Sequence, residues 1–200
     1  MIKAVIFDVG GVLLRTQSWE KRLAWDARLG LAPGTVEQMV FNSEHGRAAQ
    51  CGQVTAEAHW QWVGEQLGLS AETLTQFRTD FWAGDKMDTD LIAYIRRLRP
   101  AYITAIISNY MDSLRDELTH DFQVADAFDL IVVSAEFGTM KPDPRIYQYT
   151  LDQLDVVPDQ SVFIDDFAHN IAAARNIGMH AIHYTSEIDL YAELAQLGVA

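Results

Sequence analysis

Asp8, Ser108, Asn109, Lys141 and the pair Asp165-Asp166 are the residues of this 200-residue chain whose types and settings could do chemistry together. Three carboxylates can hold a hard divalent cation, and Mg²⁺ is typically bound by a few carboxylates plus substrate phosphate rather than by an all-protein cage. Lys141 adds a compact positive charge. The Ser108 hydroxyl and the backbone N–H groups of Ser108-Asn109, placed ahead of a helix, can take anionic oxygens. A carboxylate nucleophile beside such a clamp suits phosphoryl transfer through an aspartyl-phosphate. Alone, Asp8 could equally open a turn after a strand; its company is what gives it a reaction.

These residues need a scaffold that brings strand ends together. Ala4–Phe7 reads as one buried strand that delivers Asp8 and then Gly10-Gly11, which let another group approach the backbone closely. Ala101–Ile107 is a second apolar run, ending at Ser108-Asn109, and Ser161–Ile164 a third, ending at Asp165-Asp166. Leu130–Ser134 precedes the turn Phe137–Met140 and Lys141, and His180–Tyr184 is the last strand. Helices are expected at Asp90–Arg99, around Asp112–Thr119, at Pro144–Leu154 with proline in its first turn, from about Asn170 to Ile177, and at Asp189–Leu197. This alternation predicts an α/β fold with a doubly wound parallel sheet, its ligand cleft at the carboxyl ends of the strands and the Asp8 strand near its centre.

Between the first strand and Asp88 the pattern is helical instead. Trp19–Leu29, Pro33–Ala49, Thr55–Leu67 and Ser70–Trp82 each carry apolar residues at helical spacing, with capping residues at Thr55 and Ser70. All five tryptophans fall here. They are expected to fill the core of a small helical lobe; the alternative reading is that one or two face the cleft and shape a substrate pocket. The domains expected are therefore an α/β core of residues 1–14 and 88–200 and a helical insertion of residues 15–87.

Composition limits the partners. A net charge of −13 and a pI near 4.7 argue against nucleic acid and anionic membranes, which need a positive field. An anionic substrate would then depend on local positive charge. Apolar stretches are strand-sized, too short to cross a bilayer, and Met1-Ile2-Lys3 leads directly into a strand, so a cytoplasmic protein is expected. Cys51 is the only cysteine, which excludes a disulfide within the chain and a thiolate zinc cluster. A monomer or homodimer is expected.

In order along the chain, Phe7–Leu13, Ile107-Ser108-Asn109, Met140–Pro144 and Phe163–Asp166 resemble the four motifs of the haloacid dehalogenase-like (HAD) hydrolase superfamily. The resemblance covers essentially the whole length and implies a Rossmann-like core with a helical cap inserted after the first strand. It implies Asp8 as nucleophile, with Mg²⁺ held by Asp8, the Gly10 carbonyl and Asp166, and Asp165 a direct or water-mediated partner. Ser108, Asn109 and Lys141 would bind the phosphoryl group of a small phosphorylated metabolite, and Lys141 would also neutralise Asp8. Asn170 falls where many members carry another acid, which makes it a candidate to hold a metal-bound water. His169 reads as a helix-start histidine, while Arg15 either reaches the substrate or simply begins the cap.

One departure bears on substrate. Most phosphatases of this superfamily carry a second aspartate two residues after the nucleophile, and here that position is Gly10. Glycine keeps a carbonyl for the metal but cannot transfer a proton, help typically worth ~10²–10⁴-fold. The Asp-x-Gly pattern, Lys141–Tyr147 and Asp165–Asn170 are similar to a capped subgroup that includes α-glucose-1-phosphate phosphatases. An anomeric oxygen leaves more easily than a primary alkoxide, so the expectation is an Mg²⁺-dependent phosphatase of a small phosphorylated metabolite, with a sugar 1-phosphate as one candidate substrate. The alternatives are a 2-haloacid dehalogenase, which needs no metal, and a catalytically idle binding protein.

Overall fold

Strand β1 (Ala4–Phe7) has no solvent-exposed side chain, because it lies in the middle of a sheet covered on both faces. The computed structural model describes residues 1–199. Beyond β1 the chain forms a short strand β2 (Leu14–Thr16), then helices α1 (Glu20–Arg28), α2 (Thr35–Asn42), α3 (Glu44–Gln50), α4 (Ala56–Gln66) and α5 (Ala71–Trp82). Strand β3 (Asp85–Met87) leads to α6 (Thr89–Leu98) and β4 (Ile103–Ser108). Helix α7 (Leu114–Asp116) runs into a π-helical turn at Glu117–Asp121. The remainder is β5 (Leu130–Val133), α8 (Ser134–Phe137), α9 (Pro144–Leu154), β6 (Ser161–Asp165), α10 (Ala168–Asn176), β7 (His180–His183) and α11 (Leu190–Gln196).

The main sheet has the order β5-β4-β1-β6-β7 with every pairing parallel. β1 is the central strand, as its apolar run and following glycines predict. Phe7 lies beside Ile106 of β4 and Ile164 of β6, so the residues that follow these positions converge at one end of the sheet. One face is covered by α6, the α7 region and α11, through Ile92, Ile95, Leu114 and Leu194. The other is covered by α9 and α10, through Ile146, Tyr147, Leu151 and Ile171. Helix α9 has the predicted bounds, with Pro144 in its first turn and Asp143 accepting from Arg145 N at 2.9 Å.

Helices α1–α5 enclose a separate apolar cluster that includes Trp25, Val36, Trp60, Val63, Phe77 and Phe81. Trp25 and Trp60 are buried in it, Trp82 is half-buried and lines a cleft, and Trp19 is exposed. The caps expected at Thr55 and Ser70 form: their side chains accept from Ala58 N and Thr73 N. Two expectations are corrected. The helix expected over Pro33–Ala49 is broken at Ser43, whose backbone turns extended (ψ 161°) and whose Oγ accepts from Gly46 N at 2.9 Å, capping α3. Gly46 has no room for a Cβ there, which would overlap the Val40 carbonyl. The chain segments entering and leaving the helical lobe, which showed no strand pattern, pair as an antiparallel ribbon with Leu14 opposite Met87 and Thr16 opposite Asp85.

Arg15 belongs to that ribbon. It is bonded to Asp88, the N-cap of α6, and to the Tyr184 hydroxyl just beyond β7. Of its two readings, the structural one holds: its guanidinium ties the ribbon to the core. A second set of ties lies across the lobe, where Ser134 Oγ donates to the Gln50 carbonyl at 2.6 Å and Asp112 accepts from Ala56 N at 2.9 Å.

Candidate active site

A cleft of about 450 Å³ opens between the lobe and the carboxyl end of the sheet. Asp8, Gly10, Ser108, Asn109, Lys141, Asp166 and Asn170 all line it. Residues up to 162 positions apart in sequence thus reach one place because their strands run parallel and end together.

Lys141 is the hub of the buried part. Its Nζ lies 2.9 Å from Asp8 Oδ1, 2.7 Å from Asp165 Oδ2 and 2.9 Å from the Ile107 carbonyl oxygen. The lysine is held from its backbone as well: Asn109 Oδ1 accepts from Lys141 N at 2.7 Å and Asn109 Nδ2 donates to the Lys141 carbonyl at 2.9 Å. The Asn109 side chain therefore braces Lys141, and its backbone N–H is the group left for an anion. Ser108, almost fully buried at the end of β4, lines the cleft beside it.

Asp165 is wholly buried and its oxygens are well occupied. Oδ1 accepts from Phe167 N at 2.7 Å and from Asn170 Nδ2 at 3.1 Å; Oδ2 takes Lys141 Nζ and Asn170 Nδ2 at 3.0 Å. Such a carboxylate serves first as the anchor of Lys141. Asp8 is different. Its Oδ1 receives Val9 N at 2.7 Å as well as Lys141, while Oδ2 is free of protein partners among the described residues. One oxygen is fixed and the other is available, which is the arrangement a nucleophile needs.

Burial dominates the electrostatics. It pushes the Asp8 carboxyl up to about 7, Lys141 pulling it back down and the Asp165 charge adding to the rise. Asp166 is pushed up to about 6 by burial and then by Asp165. Burial alone would lower the Lys141 ammonium, but Asp8 and Asp165 outweigh it and hold its pKa above the ordinary lysine value. Carboxyls raised this far above their ordinary value mark a cluster short of positive charge.

The donor set fits a hard cation. Asp8, Asp165 and Asp166 each offer a carboxylate oxygen within 4.8 Å of the others. Asp166 Oδ1 and Asn170 Oδ1 are buried without a hydrogen-bond partner, a costly state that a cation and its water would relieve. Gly11, at φ +73°, is required here: a Cβ would overlap the Asp166 carboxylate. Gly10 contrasts with it, since a Cβ there would meet nothing within 4 Å. The position lacking the usual acid is open space facing the cleft.

The lobe supplies the opposite wall, which periodicity alone could not assign to a face. Phe41 and Trp82 provide apolar surface, continued by Leu14 at the start of β2, with Gln38, Asn42, Arg47 and Gln50 as polar groups. Buried Arg22, another residue the sequence did not single out, is spent structurally: it donates to the Phe81 carbonyl at 2.9 Å, pairs with Asp85 at 2.6 Å and Glu37 at 3.3 Å, and stacks over Phe81. His169 lines the cleft beside Phe167.

Comparison with known proteins agrees with this geometry. The family model for haloacid dehalogenase-like hydrolases matches residues 2–178. The chain is 28% identical over 197 residues to the sesquiterpene phosphatase astK of Aspergillus oryzae, covering 98% of this chain and 96% of that protein. Its fold is similar to that of a HAD-like hydrolase from Porphyromonas gingivalis (TM-score 0.81, 22% identity, 100% of this chain and 99% of the other). It is also similar to a HAD-family enzyme from Bacteroides thetaiotaomicron solved with magnesium and inorganic phosphate (TM-score 0.79, 21% identity, 96% and 99%). With its Asp8 strand central in a parallel sheet and the motif residues gathered at one cleft, the chain belongs to the haloacid dehalogenase-like hydrolases.

Proposed function

We propose that this hydrolase is an Mg²⁺-dependent phosphatase of a small phosphorylated metabolite. The observation that carries this is Asp8, held at one oxygen by Lys141 at 2.9 Å and free at the other, in a three-carboxylate cluster on the cleft floor. Asp8 and Asp166, with the Gly10 carbonyl, would hold Mg²⁺, and Asn170 Oδ1 its water. When bound, the cation supplies the positive charge that lets Asp8 ionise and that offsets phosphoryl charge. Asp8 Oδ2 attacks phosphorus, the bond from phosphorus to the leaving oxygen breaks, and Lys141 with the Ser108 and Asn109 groups stabilises the equatorial oxygens. Water then attacks the aspartyl-phosphate, releasing phosphate and restoring Asp8. Asp165 keeps Lys141 in place throughout. The helical lobe of residues 15–87 acts as a cap that excludes bulk water and selects the substrate, with the β2–β3 ribbon as its connection.

The leaving oxygen needs a proton that position 10 does not give. This favours an ester whose alkoxide leaves readily, and a sugar 1-phosphate is our first choice: Trp82 and Phe41 offer aromatic faces for a sugar ring, and Gln38 and Asn42 offer partners for hydroxyls. A second reading, a terpenoid phosphate, is favoured by the apolar surface of Phe41, Trp82 and Leu14 together with the name of the fungal relative. The 2-haloacid dehalogenase reading is disfavoured by the unpartnered Asp166 Oδ1, which metal-free chemistry leaves unexplained. We place the protein in the cytoplasm as a monomer or homodimer; no helix of the described residues is long and apolar enough to cross a membrane.

The test is a screen of glucose 1-phosphate, glucose 6-phosphate, prenyl phosphates and 2-chloropropionate, with Mg²⁺ or EDTA. Phosphate release lost in EDTA and in Asp8→Asn is expected. Metal-independent dehalogenation, or no turnover dependent on Asp8, overturns the reading.

A further inference from the structure

We propose that Arg47 is a specificity-determining residue, and that the substrate carries a second anionic group, a carboxylate or a further phosphate, which its guanidinium binds. Three cations line the cleft: Arg22, Arg47 and Lys141. Arg22 is consumed inside the protein by Asp85, Glu37 and the Phe81 carbonyl, and Lys141 is anchored on the cleft floor by Asp8, Asp165 and the Ile107 carbonyl, where its charge faces the transferring group. Arg47 is exposed and, among the described residues, no carboxylate lies within ion-pair distance of it. This is unusual in its setting. The chain has a net charge of −13, and Asp8, Glu37, Asp85 and Asp166 line the same cleft, yet Arg47 pairs with none of them.

Its position assigns its ligand. Arg47 comes from α3, on the lobe wall, whereas the transferring phosphoryl group is served from the sheet by Lys141, Ser108 and the cation site. On this proposal an anion at Arg47 is a different group of the same substrate. Gln38 and Asn42 sit four residues apart on α2, line the same wall and likewise have no side-chain hydrogen bond among the described residues. Two unused amides and an unused guanidinium lining one cleft suit a polar body ending in a carboxylate or phosphate that the planar guanidinium can grip with two bonds. This rests on the phosphatase reading and narrows it to doubly anionic esters.

The experiment compares esters that differ only in the second group: glucose 1-phosphate, glucuronic acid 1-phosphate and glucose 1,6-bisphosphate, with wild type, Arg47→Gln and Arg47→Lys. Wild type is expected to favour at least one charged ester by tenfold or more in kcat/KM. Arg47→Gln should collapse that ratio below twofold, mainly through KM, and Arg47→Lys should keep part of it. A preference that survives Arg47→Gln, or no preference in wild type, overturns the proposal; so does an equal loss on all three esters, which would assign Arg47 to the transferring group. Calorimetric titration of methylphosphonate and phosphonoacetate with Mg²⁺ separates the two readings if no ester is turned over. Tighter phosphonoacetate binding that Arg47→Gln abolishes upholds the Arg47 site without the phosphatase; equal binding of the two overturns it.

Discussion

Asn170 Nδ2 reaches both carboxylate oxygens of Asp165, at 3.1 and 3.0 Å, and so decides how Asp165 presents itself to Lys141. An aspartate at 170, common elsewhere in the family, would replace this donor by an acceptor facing a fully buried carboxylate. Asn170→Ala should cost about 1–3 kcal/mol, the usual loss when a buried acceptor loses its donor. Asn170→Asp should lower the melting temperature further in EDTA, and Mg²⁺ should recover part of that loss. If Asn170→Asp melts like wild type in EDTA, the amide is not what holds Asp165.

Lys141 neutralises two buried carboxylates at once, so its removal should be severe. Lys141→Ala leaves Asp8 and Asp165 without their cation, and breaking a buried pair on one side costs about 3–5 kcal/mol. Adding Asp165→Asn removes one stranded charge and should return more than half of the lost stability without returning activity. Denaturant titration of the single and double variants reads this directly. Asp8→Asn, in contrast, should be at least as stable as wild type at pH 8 in EDTA, since burial disfavours the ionised Asp8 that it replaces.

The raised carboxyls give a pH signature of definite sign. Asp8 is pushed up to about 7 and Asp166 to about 6, both from an ordinary value near 3.8. Groups raised on folding bind more protons in the native state, so their contribution to stability is full below about pH 4 and is lost as pH climbs through 6 and 7. Metal binding reverses this by favouring the ionised forms. The rise in melting temperature produced by 5 mM Mg²⁺ should therefore be several degrees larger at pH 8 than at pH 5, and Asp166→Asn should flatten the dependence. An Mg²⁺ shift of equal size at both pH values would contradict the assignment of these carboxylates to the cation site.

Much of this was legible in sequence because strand and motif coincide. Ala4–Phe7 is apolar at every position since both faces of β1 are covered, and α9 starts where Pro144 must start it. The β2–β3 ribbon was not legible, because three-residue strands are too short to show alternation and their partners lie about 70 residues apart. Helical spacing marked the lobe but could not say that Phe41, Arg47 and Trp82 face the cleft while Trp25 faces inward. Asn109 shows another limit: its motif position announced phosphate binding, yet its side chain clasps the Lys141 backbone, a contact between loops that spacing does not encode.

Gly10 offers the sharpest test of the chemistry. A Cβ at this position meets nothing within 4 Å, and its backbone is not among those with positive φ, so an aspartate can start here without its Cβ displacing a neighbour. It would stand two residues beyond Asp8, at the cleft, where a leaving oxygen needs a proton. Gly10→Asp should therefore fold with a melting temperature close to wild type in Mg²⁺. Its benefit should track the leaving group, since proton donation matters most where the alkoxide is poorest. Turnover of glucose 6-phosphate should rise about 10–100-fold, while glucose 1-phosphate, whose anomeric oxygen leaves more easily, should gain less than about fivefold. The ratio of the two gains, measured at pH 6 to 7, is the readout. Equal gains, or a loss on both substrates with the fold intact, would mean that Gly10 does not mark a missing acid and that the proton already comes from elsewhere in the cleft.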